Sequence, residues 1–386
     1  MSTMNRYLLE PIHEDLEKKM VLLMGPRQVG KTTLAQNLGT TSVNPLYLNF
    51  DKISDRPIIE QASWLPTHDY VVLDEIHKMG EWKGHLKGIF DTKPKTQKLL
   101  VTGSARLDTF RQSGESLAGR YFRWRLHPLS VKELALEQGS SIHSLGALLR
   151  FGGFPEPFFA GSARARGRWQ SQYFGDVIRE DILEFSRIHE LQAMRVLLEL
   201  LRDRTGSPLS LESLSRDLSI SPNTVKSYLH ILQALHIVYL VYPHHKNIAR
   251  GLSKTPKLYF YDWAYVDTRR KTAEVTGAVY ENLIACHLLK HIDFLNDSEG
   301  SALELHYIQT RSAKEIDFVI TDEKANVSIF IECKLSDATP SYALKETVLT
   351  HPSAKHIQLV YNLPHGRKVD GVEVIPAADW LIGLAA

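Results

Sequence analysis

Near the N-terminus, Gly25-Pro26-Arg27-Gln28-Val29-Gly30-Lys31-Thr32, followed by Thr33, satisfies GxxxxGK[ST] at every fixed position. Glycines let a backbone curl tightly enough for successive N–H groups to converge on phosphate oxygens. A helix opening at Thr32 would add partial positive charge at the same point. Lys31 would reach the β- and γ-phosphates of a nucleotide, and the Thr32 hydroxyl would ligate Mg²⁺. Downstream, the apolar run Tyr70-Val71-Val72-Leu73 delivers two carboxylates, Asp74 and Glu75. Asp74 would enter the Mg²⁺ shell, and Glu75 would orient or deprotonate an attacking water, so the pair points to hydrolysis rather than storage. A third run, Leu99-Leu100-Val101-Thr102-Gly103-Ser104, ends in hydroxyls, and Ser104 or Thr102 would face the γ-phosphate or the lytic water. Arg120 is the candidate for stabilising transition-state charge, with a solvated basic face as the plain alternative; Arg27 is a weaker second candidate.

A separate set of charged residues lies toward the other end. Glu332-Cys333-Lys334 closes the strand-like run Ser328–Ile331, and an alternation of two puts Glu332 and Lys334 on one face. One strand earlier Asp317 lies opposite Ile316 and Phe318, and a preceding helix carries Glu281. Two or three such carboxylates would hold Mg²⁺, a hard, oxygen-seeking ion. The ion would acidify a bound water and neutralise a scissile phosphate, with Lys334 orienting that water. The plain alternative is a surface Glu–Lys pair worth under about 1 kcal/mol.

These residues need elements to hold them. Strands are expected at Met20–Met24, Leu46–Phe50, Tyr70–Leu73 and Lys98–Thr102, alternating with longer mixed segments as in a parallel α/β sheet. Residues 140–250 look mostly helical, with helices at Asp176–Phe185 and Glu190–Leu201. Further on the pattern predicts a strand at Lys257–Tyr261, a helix at Val275–Lys290, and strands at Leu303–Gln309, Glu315–Thr321 and Ser328–Lys334. A helix at Ala343–Leu349 and a strand at His356–Tyr361 complete it. At roughly 150 residues per domain, a chain of 386 residues implies two or three domains. We place them at 1–135, 136–250 and 251–386.

Lys+Arg 46 against Asp+Glu 44 leaves a net charge of +2, so any affinity for nucleic acid must be local. The only cysteines are Cys286 and Cys333, which excludes a disulfide scaffold and suits a reducing cytosol. The N-terminal segment does not read as a signal peptide, and no apolar run approaches the roughly 18 residues of a membrane span. The histidines show no HExxH or Cys/His ligand spacing, so no zinc site is expected.

The combination of Gly25–Thr33, Val71–Lys78, Val101–Ala105 and Leu117–Arg120, followed by Leu126–Ser130, resembles a prokaryotic group of AAA+-type P-loop ATPases. Members of that group carry a C-terminal domain of unknown function. Phe151–Pro155 and Tyr280–Asn282 are similar to that group as well. The resemblance implies ATP as ligand, Mg²⁺ as cofactor and a cytoplasmic ATPase; further copies of the chain are a weaker expectation, and no membrane partner is implied. Helix acid, Asp, then Glu-x-Lys, in the order α-β-β-β-α-β, is similar to the PD-(D/E)xK nuclease fold, which brings DNA or RNA in as a candidate partner. Leu209–Leu218 and Thr224–Leu235, joined by Ser219–Asn223, resemble a winged helix-turn-helix. Its outward residues Lys226, Ser227 and His230 carry little positive charge, so a linker or oligomer surface weighs above sequence-specific DNA binding. Arg164, Arg166, Arg168 and Trp169 form a basic patch that would track a nucleic-acid backbone or simply face solvent. The expected fold class is therefore α/β: a P-loop parallel sheet, a helical and winged-helix middle region, and a restriction-endonuclease-like α/β C-terminal domain.

Overall fold

The structure, a computed structural model, describes residues 4–103, 117–176, 191–245, 254–266, 275–309 and 315–386. Ser104 and the expected helix beyond Asp176 lie outside them. The chain divides into two compact units, residues 1–127 with 234–236, and residues 128–233 with 237–386. Among the described residues no helix is long and apolar enough to cross a membrane.

In the first unit, strands buried on both faces demand a sheet covered on both sides, which a parallel sheet supplies. Its strands are β1 (Met20–Met24), β2 (Pro45–Asn49), β3 (Tyr70–Asp74), β4 (Lys98–Thr102) and β5 (Tyr121–Arg125). They pair in the order β2-β3-β4-β1-β5, every pair parallel. Helices α1 (Leu9–Leu16), α2 (Lys31–Leu38), α3 (Arg56–Gln61) and α4 (Trp82–Thr92) accompany them. Met20, Leu22, Val71, Leu73, Leu99 and Val101 from the strands pack with Trp82, Leu86 and Ile89 of α4. The edge strand β5 was not anticipated. Its sequence, Tyr-Phe-Arg-Trp-Arg, buries only Trp124 fully, and charged, half-exposed edges of this kind blunt the apolar signal. Because the strands are parallel, their C-terminal ends share one rim, where the loop after β1 and the acids after β3 meet.

The second unit begins with helices α5 (Val131–Gln138), α6 (Ser141–Phe151), α7 (Pro155–Ala160), α8 (Ala163–Asp176), α9 (Leu191–Arg202), α10 (Leu211–Leu218) and α11 (Pro222–Ala234). An antiparallel pair, β6 (Val238–Pro243) and β7 (Lys257–Phe260), follows. Strand β6 falls in a stretch expected to be mostly helical. Its β-branched and aromatic run Val-Tyr-Leu-Val-Tyr favours the pleated surface instead. Next come α12 (Gly277–Glu299), β8 (Glu304–Gln309), β9 (Glu315–Thr321), β10 (Val327–Ser336), α13 (Tyr342–Thr350) and β11 (Lys355–Asn362). This is the expected element order, with α12 running past Lys290 until Gly300, at φ 68°, ends it. Strands β12 (Arg367–Val369) and β13 (Val372–Pro376) and helix α14 (Ala377–Ile382) complete the unit. The mixed sheet runs β12-β13-β11-β10-β9-β8-β6-β7.

Buried polar contacts tie helices to sheet in this unit. Ser130 and Glu133 form a capping box at the start of α5, and Glu133 also pairs with Lys290 of α12. The Lys290 Nζ donates to Pro128 O at 3.1 Å as well. Gly152 sits at φ +85°, and a Cβ there would come within 2.8 Å of the Asp262 carboxylate, so no larger residue fits. Asp262 accepts from Gly153 N at 3.1 Å and Ala264 N at 3.2 Å, and burial pushes it up to about 6. Trp263 Nε1 donates to Leu148 O at 2.7 Å. Asn282 grips the Phe260 backbone, accepting from its N–H at 2.9 Å and donating to its carbonyl at 2.7 Å. These contacts give the Phe151–Pro155 and Tyr280–Asn282 segments a structural purpose.

Two outcomes follow for stability. Removing one partner of a buried ion pair strands the other charge, so Lys290→Met should cost roughly 3–5 kcal/mol in chemical denaturation. The Glu133→Gln/Lys290→Met pair, with no charge left over, should cost less; equal losses would show that the pair is not what matters. His287 accepts from Val131 N at 3.0 Å through Nε2, with Nδ1 2.8 Å from Leu283 O, so the ring is held neutral. Burial pulls its pKa from 6.5 down to about 4. Its contribution is therefore full above pH 6.5 and is lost as pH falls toward 4, by up to about 3 kcal/mol. His287→Gln should lose less stability than the parent over that range, and a constant gap between the two proteins would refute the assignment.

Candidate nucleotide site

The loop between β1 and α2 turns through unusual backbone angles, with φ 147° at Gly25, 62° at Gln28 and 102° at Gly30. At Gly25 an added Cβ would lie 2.3 Å from the Leu126 carbonyl oxygen, so the loop leaves β1 directly against the segment after β5. The Leu126 N–H in turn donates to Met24 O at 2.8 Å. Lys31, only 8% exposed, donates its ammonium to the loop's own carbonyls, Gly25 O at 2.9 Å and Pro26 O at 2.7 Å. The cation is thereby fixed among the residues expected to cradle phosphate.

Asp74 closes β3 beside this loop. Its carboxylate is almost fully buried and collects donors from several elements. Thr32 Oγ1 donates at 2.9 Å, Tyr47 Oη at 2.5 Å and the Glu75 N–H at 3.0 Å, and the Thr102 hydroxyl donates too. The donor set suits Mg²⁺. A hydroxyl and a carboxylate, both hard oxygens, lie in contact under the loop. Tyr47 was not legible as a site residue, since nothing in the sequence marks a strand tyrosine as the neighbour of Asp74. Burial, then the hydrogen bond to Asp74, raise its phenol well above the ordinary value.

Glu75 follows in the left-handed region at φ 57°, an uncommon angle for glutamate that turns its side chain away from the strand direction. Its carboxylate lies 3.5 Å from His77 Nδ1. Burial raises its pKa above the usual range, attraction to Lys31 offsets part of that, and Asp74 adds to it. A carboxylate held there accepts a proton more readily near neutral pH.

Arg120 is not in this site. It immediately precedes β5, and β5 pairs parallel with β1 from Met20 opposite Tyr121 to Met24 opposite Arg125. Arg120 therefore sits at the N-terminal rim of the sheet, about 16 Å of strand from the loop. Its guanidinium is bound to Asp91 at the end of α4, Nε to Oδ1 at 2.8 Å and Nη2 to Oδ2 at 2.9 Å. As a candidate for stabilising transition-state charge, Arg120 is open to acting in its own chain or a neighbour's; the register, which a sequence does not display, sets it away from the loop of its own chain. Ser104 lies outside the described residues.

The C-terminal acids converge in part. The β9–β10 ladder ends at Ile331 opposite Phe318, and Asp317 Oδ2 then accepts from Cys333 N at 2.7 Å. Burial, then repulsion from Glu281, hold Asp317 well above the ordinary carboxylate range. Glu332, nearly buried, takes Ser341 N at 3.1 Å and Gln358 Nε2 at 3.4 Å, with Lys334 Nζ 3.1 Å away. Glu281 instead faces β7, accepting from Tyr259 Oη at 2.6 Å and lying 3.4 Å from Lys257 Nζ. Lys257, 1% exposed, also pairs with Glu315. Burial lowers its pKa, but attraction to Glu281 and Glu315 outweighs that and keeps it charged. Sequence reasoning missed this lysine, which reads as the unremarkable first residue of a strand. Among the described residues no three His, Cys, Asp or Glu side chains are grouped to hold a metal ion. Of the expected three-acid set, Glu281 lies against Tyr259 and Lys257, while Asp317 and Glu332 accept from main-chain and amide donors.

Comparison with known proteins follows this division. A family model described as an AAA domain matches residues 17–135. Two models for domains of unknown function, DUF8612 and DUF4143, match residues 142–271 and 276–380. The chain is 27% identical over 248 residues to the uncharacterized protein Rv2008c of Mycobacterium tuberculosis, covering 63% of this chain and 54% of that protein. It thus spans about half the length of that relative. It is 21% identical over 352 residues to the uncharacterized protein MJ1544 of Methanocaldococcus jannaschii, covering 81% and 75%. Among solved structures it is similar to the Walker-type ATPase PABY2304 of Pyrococcus abyssi, with 15% identity, a TM-score of 0.43, and coverage of 67% of this chain and 93% of that one. It is also similar to a RuvB variant of Thermotoga maritima, with 17% identity, a TM-score of 0.29, and coverage of 60% and 86%. Together with the all-parallel sheet and the loop–acid geometry, the match over residues 17–135 gives the N-terminal part of the chain the fold of an AAA-type P-loop nucleoside-triphosphatase domain.

Proposed function

We propose that this protein binds ATP with Mg²⁺ at residues 25–33 and hydrolyses it, and that turnover governs a C-terminal module that engages nucleic acid. The observation that carries the first part is the Asp74 carboxylate, which gathers the Thr32, Tyr47 and Thr102 hydroxyls directly beneath the phosphate loop. Thr32 and Asp74 would hold the magnesium ion, whose chemistry is to neutralise phosphate charge. Lys31 grips the phosphates, the loop N–H groups of Gly25–Thr33 line them, and Glu75 accepts the proton of the attacking water. In its own chain Arg120 stands at the opposite rim of the sheet, so a role at phosphate would be toward that of a neighbouring copy.

In the C-terminal region, Asp317, Glu332 and Lys334 on adjacent strands support a likeness to the PD-(D/E)xK nuclease fold, and α10 with α11 and the β6–β7 pair supports a winged-helix reading of the middle region. A second reading, in which this module binds its partner without cutting, is favoured by Lys257, whose buried ammonium sits on the helix acid that a metal would need.

Lys31→Ala and Glu75→Gln should each lower ATP turnover roughly 100-fold or more, while Tyr47→Phe, which removes one hydrogen bond, should cost roughly tenfold or less. Turnover by both of the first two variants at the parent's rate would remove the catalytic assignment. Labelled DNA and RNA incubated with Mg²⁺ or Mn²⁺ separate the two C-terminal readings. Cleavage that Lys334→Ala abolishes makes the module a nuclease, and binding without cleavage makes it a clamp.

A further inference from the structure

The N-terminal arm ahead of α1 carries a cation that the functional reading does not use. Arg6, 9% exposed, donates Nη1 to Val29 O at 2.9 Å and Nη2 to His127 O at 2.5 Å. Val29 is inside the phosphate loop, and His127 follows β5. The adjacent Tyr7 reinforces the same junction, donating its hydroxyl to Arg125 O at 2.6 Å and accepting from His127 N at 3.1 Å. The loop is therefore fastened at both ends to residues 125–127. Gly25 presses on Leu126 where the loop begins, and Arg6 bridges Val29 to His127 where it ends.

A trans peptide points its carbonyl and its N–H in opposite directions. With the Val29 carbonyl captured by Arg6, the N–H of Gly30 in the same peptide plane must face the other way. Gly30 is the residue directly before α2, at φ 102°, where an N–H can meet an anion together with the helix terminus. We infer that Arg6 is a positioning residue of the nucleotide site: it holds the 29–30 peptide so that the Gly30 N–H is presented to phosphate. A planar guanidinium spans two carbonyls at once in fixed geometry, whereas an ammonium is a point donor. The inference rests on the ATP-binding reading, and the test keeps the two apart.

The measurement is equilibrium dialysis of ATP with Mg²⁺ on the full chain, with folding verified by circular dichroism and melting. Arg6→Ala should weaken ATP binding roughly tenfold or more, the scale of losing hydrogen bonds from a charged donor. Millimolar guanidinium should restore much of that affinity in Arg6→Ala and none in Lys31→Ala, a response that a general loss of packing would not give. Arg6→Lys, which keeps the charge but not the fork, should fall between parent and alanine variant, and it serves as the test protein if Arg6→Ala does not fold. Parental affinity in a folded Arg6 variant, or a loss that guanidinium leaves unchanged, overturns the role of Arg6 while leaving ATP binding in place. Absence of ATP uptake by the parent itself overturns the underlying reading instead.

Discussion

A carboxylate removed from water must be supplied with donors, and Asp74, 2% exposed, places that requirement at the rim of the N-terminal sheet. Its donors come from β2, from β4, from the first turn of α2 and from the next main-chain N–H. Satisfying one side chain thus fixes how three elements meet at the rim of the sheet. Strand β4 lies between β1 and β3, so the loop and the acid are not on neighbouring strands. Hydroxyls bridge that gap: Thr102 from the intervening strand and Thr32 from the helix both reach the same carboxylate. The Asp74 carboxylate is thus satisfied entirely by donors of its own chain.

In the second unit the same logic is spread over several contacts. Glu133 and Lys290 neutralise each other, Asn282 satisfies the Phe260 backbone, and Asp262 takes two N–H groups at the end of the glycine pair. Each binds a helix to a strand or turn distant in sequence. Buried polar pairs of this kind add little net stability over an apolar core. They do restrict which residues can stand opposite one another, which is the structural purpose of the short polar and glycine-bearing segments at Phe151–Pro155 and Tyr280–Asn282.

What could be read beforehand divides along the same line. The phosphate loop, the acidic pair after β3 and the C-terminal element order were legible because each is written in a few consecutive residues with a period or a spacing. Strands β9 and β4 were expected with the bounds they have, β4 from its continuous apolar run and β9 from the alternation that sets Asp317 opposite Ile316 and Phe318. Tyr47, Arg6 and Lys257 were not legible. Their importance lies in partners 27, 23 and 24 residues away, and a tyrosine, an arginine or a lysine carries no local mark of such a contact. Which chain's phosphates Arg120 could serve was not legible, for a related reason. Its sequence neighbourhood is basic and follows the motif strands, but the parallel register of β5 on β1 decides which rim it occupies.

The parallel pairing of β6 with β8, Tyr242 opposite His306 and Pro243 opposite Tyr307, splices the β6–β7 ribbon behind α11 into the sheet that carries Asp317 and Glu332. Dissecting the chain between those regions would therefore not liberate two finished modules. It would bare the outer edge of β8 on one fragment and of β6 on the other, and unpaired strand edges recruit other chains. A fragment beginning after β7 would further lose Lys257 and leave Glu281 and Glu315 without their counter-charge. Insolubility of such truncations would reflect severed backbone pairing rather than an unstable domain, and the middle helices and C-terminal sheet are best handled as one folding block.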